Sequence, residues 1–301
     1  MPHVPDQKII LVTGKGGVGK STVAAAIAHK LSKQSLRVLL VEMGESSFYQ
    51  DFFGLNSVGQ EPVPLDGSLH VARWSTESCL REYVLHYVRV EALYKMFFEN
   101  RVMKTFVRAA PTVSEIALLG KLTSNQREVG PNLDYDRIVV DAYATGHFLA
   151  LLRAPRGLSE AVRAGPLGEQ TALIYNVLTN PNITSYKIVS LPESLPTAET
   201  KELFAQLQSE FKVKPEIICN KIWKIPISEA DLQFVMNQNV QSVGTGIIGF
   251  AKYLDYIWKR QRRYMPMLSE VDPRMDQIPL LTEKRAPLEL IAEMSASLGR
   301  I

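Results

Sequence analysis

The chain has 301 residues, 46% of them apolar and 22% charged, which is long enough to bury a full core and excludes large-scale disorder. A net charge of +3 is too small to imply a nucleic-acid partner. Two dispersed cysteines, Cys79 and Cys219, exclude a zinc clasp or a disulfide framework. No run approaches about 18 uninterrupted apolar residues, so an integral membrane protein is not expected. Met1–Gln7 lacks the basic and apolar regions of a signal peptide, so a cytoplasmic location is expected.

Lys8–Thr13 is a short apolar run ending in glycines, the pattern of a buried parallel strand. Gly19–Lys33 is alanine-rich with apolar residues at helical spacing, and Arg37–Met43 is a second buried strand. Together they form a βαβ unit whose crossover is right-handed. Leu69–Trp74 is a weaker strand. The stretch from about 76 to 130 has few Gly or Pro residues and apolar positions every three to four, which predicts a helical insertion subdomain. Further strands are predicted at Arg137–Ala142, Tyr186–Leu191, Glu216–Asn220 and Gln277–Leu280. Helices are predicted at Pro196–Phe211, capped by Thr197, at Gly246–Arg263, and from Pro287 onward. Alternating strands and helices predict an α/β fold, a mostly parallel sheet flanked by helices within one domain spanning 1–301.

Gly14-Lys15-Gly16-Gly17-Val18-Gly19-Lys20-Ser21-Thr22 satisfies the G-x-x-x-x-G-K-[ST] pattern of a phosphate-binding loop, and it lies between a strand and a helix as that pattern requires. Glycines let the backbone turn tightly so that several N–H groups converge on one phosphate, and the helix N-terminus adds partial positive charge. Lys20 is expected on the β- and γ-phosphates, Ser21 on Mg²⁺, and Thr22 near the α-phosphate. The expected cofactors are therefore ATP and Mg²⁺, in a P-loop NTPase. Asp141 ends an apolar strand, where a carboxylate can reach the magnesium shell.

Lys15 adds a sharper feature. The run KGGVGKS resembles the deviant Walker A signature of MinD, ParA, the nitrogenase iron protein and the ArsA-type ATPases. That resemblance implies a dimer in which Lys15 reaches across to the partner's nucleotide. Asp141-Ala142-Tyr143-Ala144-Thr145-Gly146-His147, followed by Leu149, Leu151, Leu152 and Pro155, resembles the switch II of ArsA and the tail-anchored-protein-targeting ATPases. The family pattern D-T-A-P-T-G-H is kept at Asp141, Thr145, Gly146 and His147 and lost at positions 142–144. The stretch Leu191–Thr200, with Glu193 and the Glu199-Thr200 pair, is also similar to this family. By the same resemblance Asn220 reads the adenine edge, and Ile278-Pro279-Leu280-Leu281 lies beside the base, with Pro279 in contact. A ParA- or MinD-like positioning protein is a further alternative, against which the T-G-H at Thr145–His147 counts.

The pattern breaks at switch I. In the family an aspartate of D-P-A-H-S orients the attacking water, and alignment puts Gly44 at its position, with Glu42 and Glu45 nearby. Losing a water-orienting group typically costs roughly 10²- to 10⁴-fold in rate, while charge pairing to nucleotide is untouched. The expectation is an ATPase that binds ATP yet hydrolyses it slowly alone. Some relatives come as two paralogues, and this chain resembles the one with altered switch I, so both a homodimer and a heterodimer with a competent paralogue are expected readings. Arsenite handling is not expected, because soft thiolate ligands are required and the cysteines are dispersed.

In the targeting ATPases the helical subdomain forms a groove for an apolar or membrane-protein client. Leu80, Tyr83, Val84, Tyr87, Tyr94, Met96, Phe97, Phe98, Met103 and Phe106 offer comparable side chains, though packing on the nucleotide domain is the simpler expectation. Lys259-Arg260-Gln261-Arg262-Arg263 reads as a solvated helix end. The final helix, with Leu288, Ile291, Met294 and Leu298, reads as core packing rather than a membrane anchor, since it lacks a lysine-rich face.

Overall fold

The structure is a computed structural model that describes residues 7–88, 111–161, 166–224, 226–239, 241 and 244–299. It is a P-loop NTPase fold: eight strands in one sheet, in the order β3-β4-β2-β5-β1-β6-β7-β8. The strands are β1 (Ile9–Gly14), β2 (Val38–Met43), β3 (Val63–Asp66), β4 (Leu69–Trp74), β5 (Arg137–Ala144), β6 (Thr184–Ser190), β7 (Glu216–Ile222) and β8 (Asp276–Pro279). All neighbours run parallel except β3, which pairs antiparallel with β4 at one edge.

The helices are α1 (Lys20–Ser32), α2 (Phe48–Phe53), α3 (Thr76–Val88), α4 (Pro111–Leu122), α5 (Ser124–Arg127) and α6 (Thr145–Ala161). They continue with α7 (Pro166–Thr179), α8 (Ser194–Phe211), α9 (Glu229–Met236), α10 (Thr245–Ser269) and α11 (Pro287–Ala296). Alternation along β1 divides the core. Ile10 and Val12 face a layer built from α1, α2 and α11, while Ile9 and Leu11 face a layer built from α3, α4, α6, α7 and α8. With both faces covered, the central strands are buried along their length, which is why they read as continuous apolar runs.

The predicted strands and the helices α1, α8, α10 and α11 are present, with corrections. Thr197 is not the N-cap of its helix. The extended residue Glu193 holds that position, and the Thr197 amide donates to the Glu193 carbonyl at 3.0 Å, one turn inside α8. Pro196 is accommodated because an amide in the first turn has no intrahelical acceptor. The basic run is not a helix end either, because α10 continues through Pro266 to Ser269. Three of its cations are met by acids: Lys259 by Asp255 at 2.7 Å, Arg260 by Glu193 at 3.1 Å and Arg262 by Glu229 at 3.1 Å. The sequence reading omitted β3, α2, α6, α7 and α9; β3 and α2 are too short to show a period, while α6, α7 and α9 lie in stretches to which it assigned no element.

The final helix packs as expected except at Leu288, which lies in the first turn of α11 and is exposed. Ile291, Met294 and Leu298 are buried against α1, and Lys30 donates to the carbonyls of Ser295, at 3.3 Å, and Leu298. Within the predicted insertion, Leu80 and Tyr83 pack into the core. The remaining groove candidates fall outside the described side chains, and 89–110 outside the described residues. Among the described residues no helix is long and apolar enough to cross a membrane.

Candidate functional site

The site lies where β1, β2, β5, β6 and β7 end together, so its geometry follows from strand register. Val12 pairs with Asp141, and Asp141 pairs with Glu42 on its other side, which sets Asp141 at the carboxyl edge between the loops that follow β1 and β2. Gly14, at φ +144°, closes β1 against β6 so tightly that a Cβ there would lie 2.2 Å from the Val189 carbonyl oxygen. Gly19, at φ +92°, would place a Cβ 2.5 Å from Asn220 Nδ2. Both need glycine for conformation and for space.

Gly19 caps α1 without a side-chain hydrogen bond. The first amides of α1 therefore have no acceptor within the helix and form an anion-binding terminus. A Cβ on Gly16 or Gly17 would meet nothing within 4 Å, so the crown of the loop faces open space. Lys20 donates to the Lys15 carbonyl at 3.2 Å, bending back over the loop. Burial pushes its pKa down, and the nearby Asp141 charge opposes that. Thr22 Oγ1 donates to the Gly19 carbonyl at 2.9 Å.

Asp141 is 6% exposed, and burial, with a smaller push from Glu42, raises its pKa to about 6. Hydrogen bonds from Ser21 and Tyr49 and the charge of Lys20 work against that rise. Tyr49 is fully buried on α2; its hydroxyl donates to the Ser21 carbonyl at 2.9 Å and also meets Asp141. A buried carboxylate with a Ser hydroxyl beside it is a hard oxygen donor set, and Lys20 with the α1 amides is an anion-binding set. These residues fit a nucleotide phosphate together with Mg²⁺.

Both oxygens of Glu42 are taken by the helix that follows: Ser47 Oγ donates to Oε2 at 2.7 Å and the Phe48 amide to Oε1 at 2.7 Å. Glu45 is exposed, and its carbonyl accepts from Arg73 Nη1 at 2.8 Å. Gly44, at φ +151°, makes the turn between them.

The segment after Asp141 meets the end of β1 directly and the loop Gly14–Thr22 through Glu199. Thr13 Oγ1 donates to the Tyr143 carbonyl at 2.8 Å. Glu199 on α8 accepts Lys15 Nζ at one carboxylate oxygen and Thr145 Oγ1, at 3.2 Å, at the other. The Tyr143 ring stacks on His147 at 3.9 Å between centroids, and His147 lies 3.5 Å from Glu115 of α4. Burial first, then the charges of Glu45 and Glu115, raise the Tyr143 pKa to about 12.

Asn220 is 2% exposed; its Nδ2 donates to the Val18 carbonyl at 2.9 Å and its Oδ1 accepts the Lys221 amide at 2.9 Å. In this arrangement it braces the back of the loop. Pro279 ends β8 opposite Ile222, one strand beyond Asn220. Sequence reasoning missed Tyr49 altogether. It quoted Glu199 only as part of a similar stretch, and gave Asn220 no part in holding the loop. Cys79 and Cys219 are both buried free thiols, each pushed up to about 12 chiefly by burial. Among the described residues no group of three or more His, Cys, Asp or Glu side chains is placed to hold a metal ion.

Comparison with known proteins bears on the same segment. The profile of the anion-transporting ATPase family matches residues 7–165. ATPase BagA of Mycobacterium tuberculosis is 28% identical over 71% of this chain and 65% of its own length. The arsenical pump-driving ATPase of Escherichia coli is 28% identical over 66% of this chain and 32% of its own length. A Halobacterium salinarum protein whose name refers to an arsenical pump is 28% identical over 97% of this chain and 44% of its own length. The chain thus spans from about a third to under two thirds of the length of these relatives.

Proposed function

Given that the chain belongs to the anion-transporting ATPase family, we propose that it binds MgATP at Gly14–Thr22, acts as a dimer, and hydrolyses ATP slowly on its own. The observation that carries this reading is the convergence of the uncapped α1 N-terminus, Lys20, Ser21 and the buried Asp141 at one strand edge. Lys20 and the amides of Gly16–Ser21 would hold phosphate oxygens, with Ser21 and Asp141 holding Mg²⁺, directly or through its water shell. Magnesium supplies charge neutralisation on the phosphates during phosphoryl transfer. Tyr49 fixes the Ser21 backbone against Asp141, so the two oxygen donors keep their separation. Asn220 keeps the loop from relaxing away from α1.

Slow turnover follows from Glu42. A carboxylate that accepts two hydrogen bonds from its own following helix has little freedom to orient water, and Gly44 offers no side chain. The same observation favours a second reading, in which the chain is a nucleotide-binding subunit paired with a competent paralogue. In either case Lys15 is the residue that reaches the partner's nucleotide, and the helical insertion at 76–130 would handle an apolar client. Arsenite handling does not fit this chain, since Cys79 and Cys219 are buried and burial pushes both thiols up to about 12.

Phosphate release and nucleotide binding by the purified chain test this directly. Fluorescent-ATP binding is expected in the wild type and lost in Lys20→Ala, with slow phosphate release that accelerates on mixing with a paralogue if the second reading holds. Undiminished binding by Lys20→Ala would overturn the assignment of the loop.

A further inference from the structure

Lys15 is not free in this structure. Its ammonium pairs with Glu199 across 184 residues of sequence, and the same carboxylate accepts the Thr145 hydroxyl at 3.2 Å. Glu199 is held firmly: α8 leaves the end of β6, the strand against which Gly14 is closed, and the neighbouring Thr200 hydroxyl donates to Ser190 Oγ at 2.9 Å within the core. The Lys15 and Glu199 side chains are 29% and 28% exposed, so the pair sits at the rim of the site, partly shielded from water. Lys20 also donates to the Lys15 carbonyl, which fixes the backbone from which the Lys15 side chain departs.

We propose that Glu199 is a positioning residue that holds Lys15 retracted and ties it to the start of switch II, so that closure of the dimer on ATP requires Lys15 to exchange Glu199 for phosphate. The inference rests on the reading of Lys15 as the residue that reaches the partner's nucleotide. One ammonium cannot serve a carboxylate at its own rim and a phosphate across an interface, so the two partners compete. When Lys15 leaves, Glu199 loses the cation that it shares with the Thr145 contact, and the first turn of α6 is no longer bound to the same charge pair. The clamp therefore links phosphate loop, switch II and α8 through one carboxylate. A partly exposed ion pair is modest in strength, which suits a contact that nucleotide must displace.

The test uses the full-length protein and two readouts. The first is the rate at which an amine-reactive acylating reagent modifies Lys15 without nucleotide, measured by mass spectrometry against the other lysines. The second is the ATP concentration for half-maximal dimer closure, measured by crosslinking or sizing. The near-isosteric Glu199→Gln is expected to raise Lys15 labelling selectively and to lower the ATP requirement by roughly two- to five-fold. An unaltered urea midpoint shows that the fold is intact. If Lys15→Ala closes on ATP like the wild type, the role of Lys15 itself is wrong. If Lys15→Ala blocks closure and Glu199→Gln leaves either readout unmoved, or raises the ATP requirement, the clamp is wrong while the role of Lys15 stands.

Discussion

Two loops leave the same carboxyl edge of the sheet, one after β1 and one after β2, and both pass within reach of Asp141. The loop Gly14–Gly19 turns its backbone outward: its glycines pack against β6 and Asn220, its crown faces open space, and α1 begins without a side-chain cap. The loop Gly44–Ser47 turns inward, where Ser47 caps α2 by accepting from the Gln50 amide and Glu42 accepts the Phe48 amide and the Ser47 hydroxyl. One helix N-terminus has no side-chain cap; the other is held by Ser47 and Glu42. A strand-end carboxylate is therefore not catalytic by position alone. Asp141 keeps a buried, strained charge, whereas Glu42 spends its charge on folding.

The largest expected effect falls on the first loop. Gly14→Ala would push a Cβ to 2.2 Å from a backbone carbonyl at positive φ, and a loss of about 3 kcal/mol or more is expected from urea unfolding, with nucleotide binding abolished. Asp141→Asn comes next and has a sign. The folded pKa of about 6 lies above the unfolded value near 3.9, so the folded state binds more protons and stability falls as pH rises from about 4 to about 6. Metal-free Asp141→Asn is expected to escape that fall and to exceed the wild type by roughly 2–3 kcal/mol at pH 7, while losing Mg²⁺-dependent ATP binding. Equal urea midpoints at pH 4 and pH 7 in the wild type would show that the buried charge is not strained.

On the second loop, Glu42→Ala is expected to cost about 1–2 kcal/mol through the lost acceptors of Ser47 and Phe48, and to change hydrolysis by less than about tenfold. A hundredfold drop in phosphate release with intact ATP binding would make Glu42 the water-orienting group and break the contrast between the loops. Glu45→Ala, on an exposed side chain, is expected to stay within about 0.5 kcal/mol by the same unfolding assay.

The alternation of apolar runs with helical spacing determined the parallel sheet, because buried strands and amphipathic helices differ in period. The spacing Gly14–Thr22 likewise put the candidate phosphate loop between a strand and a helix, where the fold has it, since that motif works through backbone amides next to each other in the chain. The elements it hid include short ones and also the longer helices α6 and α7. Neither α2 nor β3 spans enough residues for a period, α6 carries Pro155 within it, and α10 runs past the predicted end at Arg263, with the exposed Pro266 inside its last turn.

What only the tertiary structure decided is which distant side chains share a hydrogen bond. Asn220 gripping Val18, Tyr49 bridging Ser21 and Asp141, and Glu199 holding Lys15 each join residues far apart in sequence, brought together by strand order. Glu42 shows the reverse. From sequence it is a carboxylate beside a candidate magnesium site; in the fold it braces the start of the next helix, accepting the Ser47 hydroxyl and the Phe48 amide, five and six residues on.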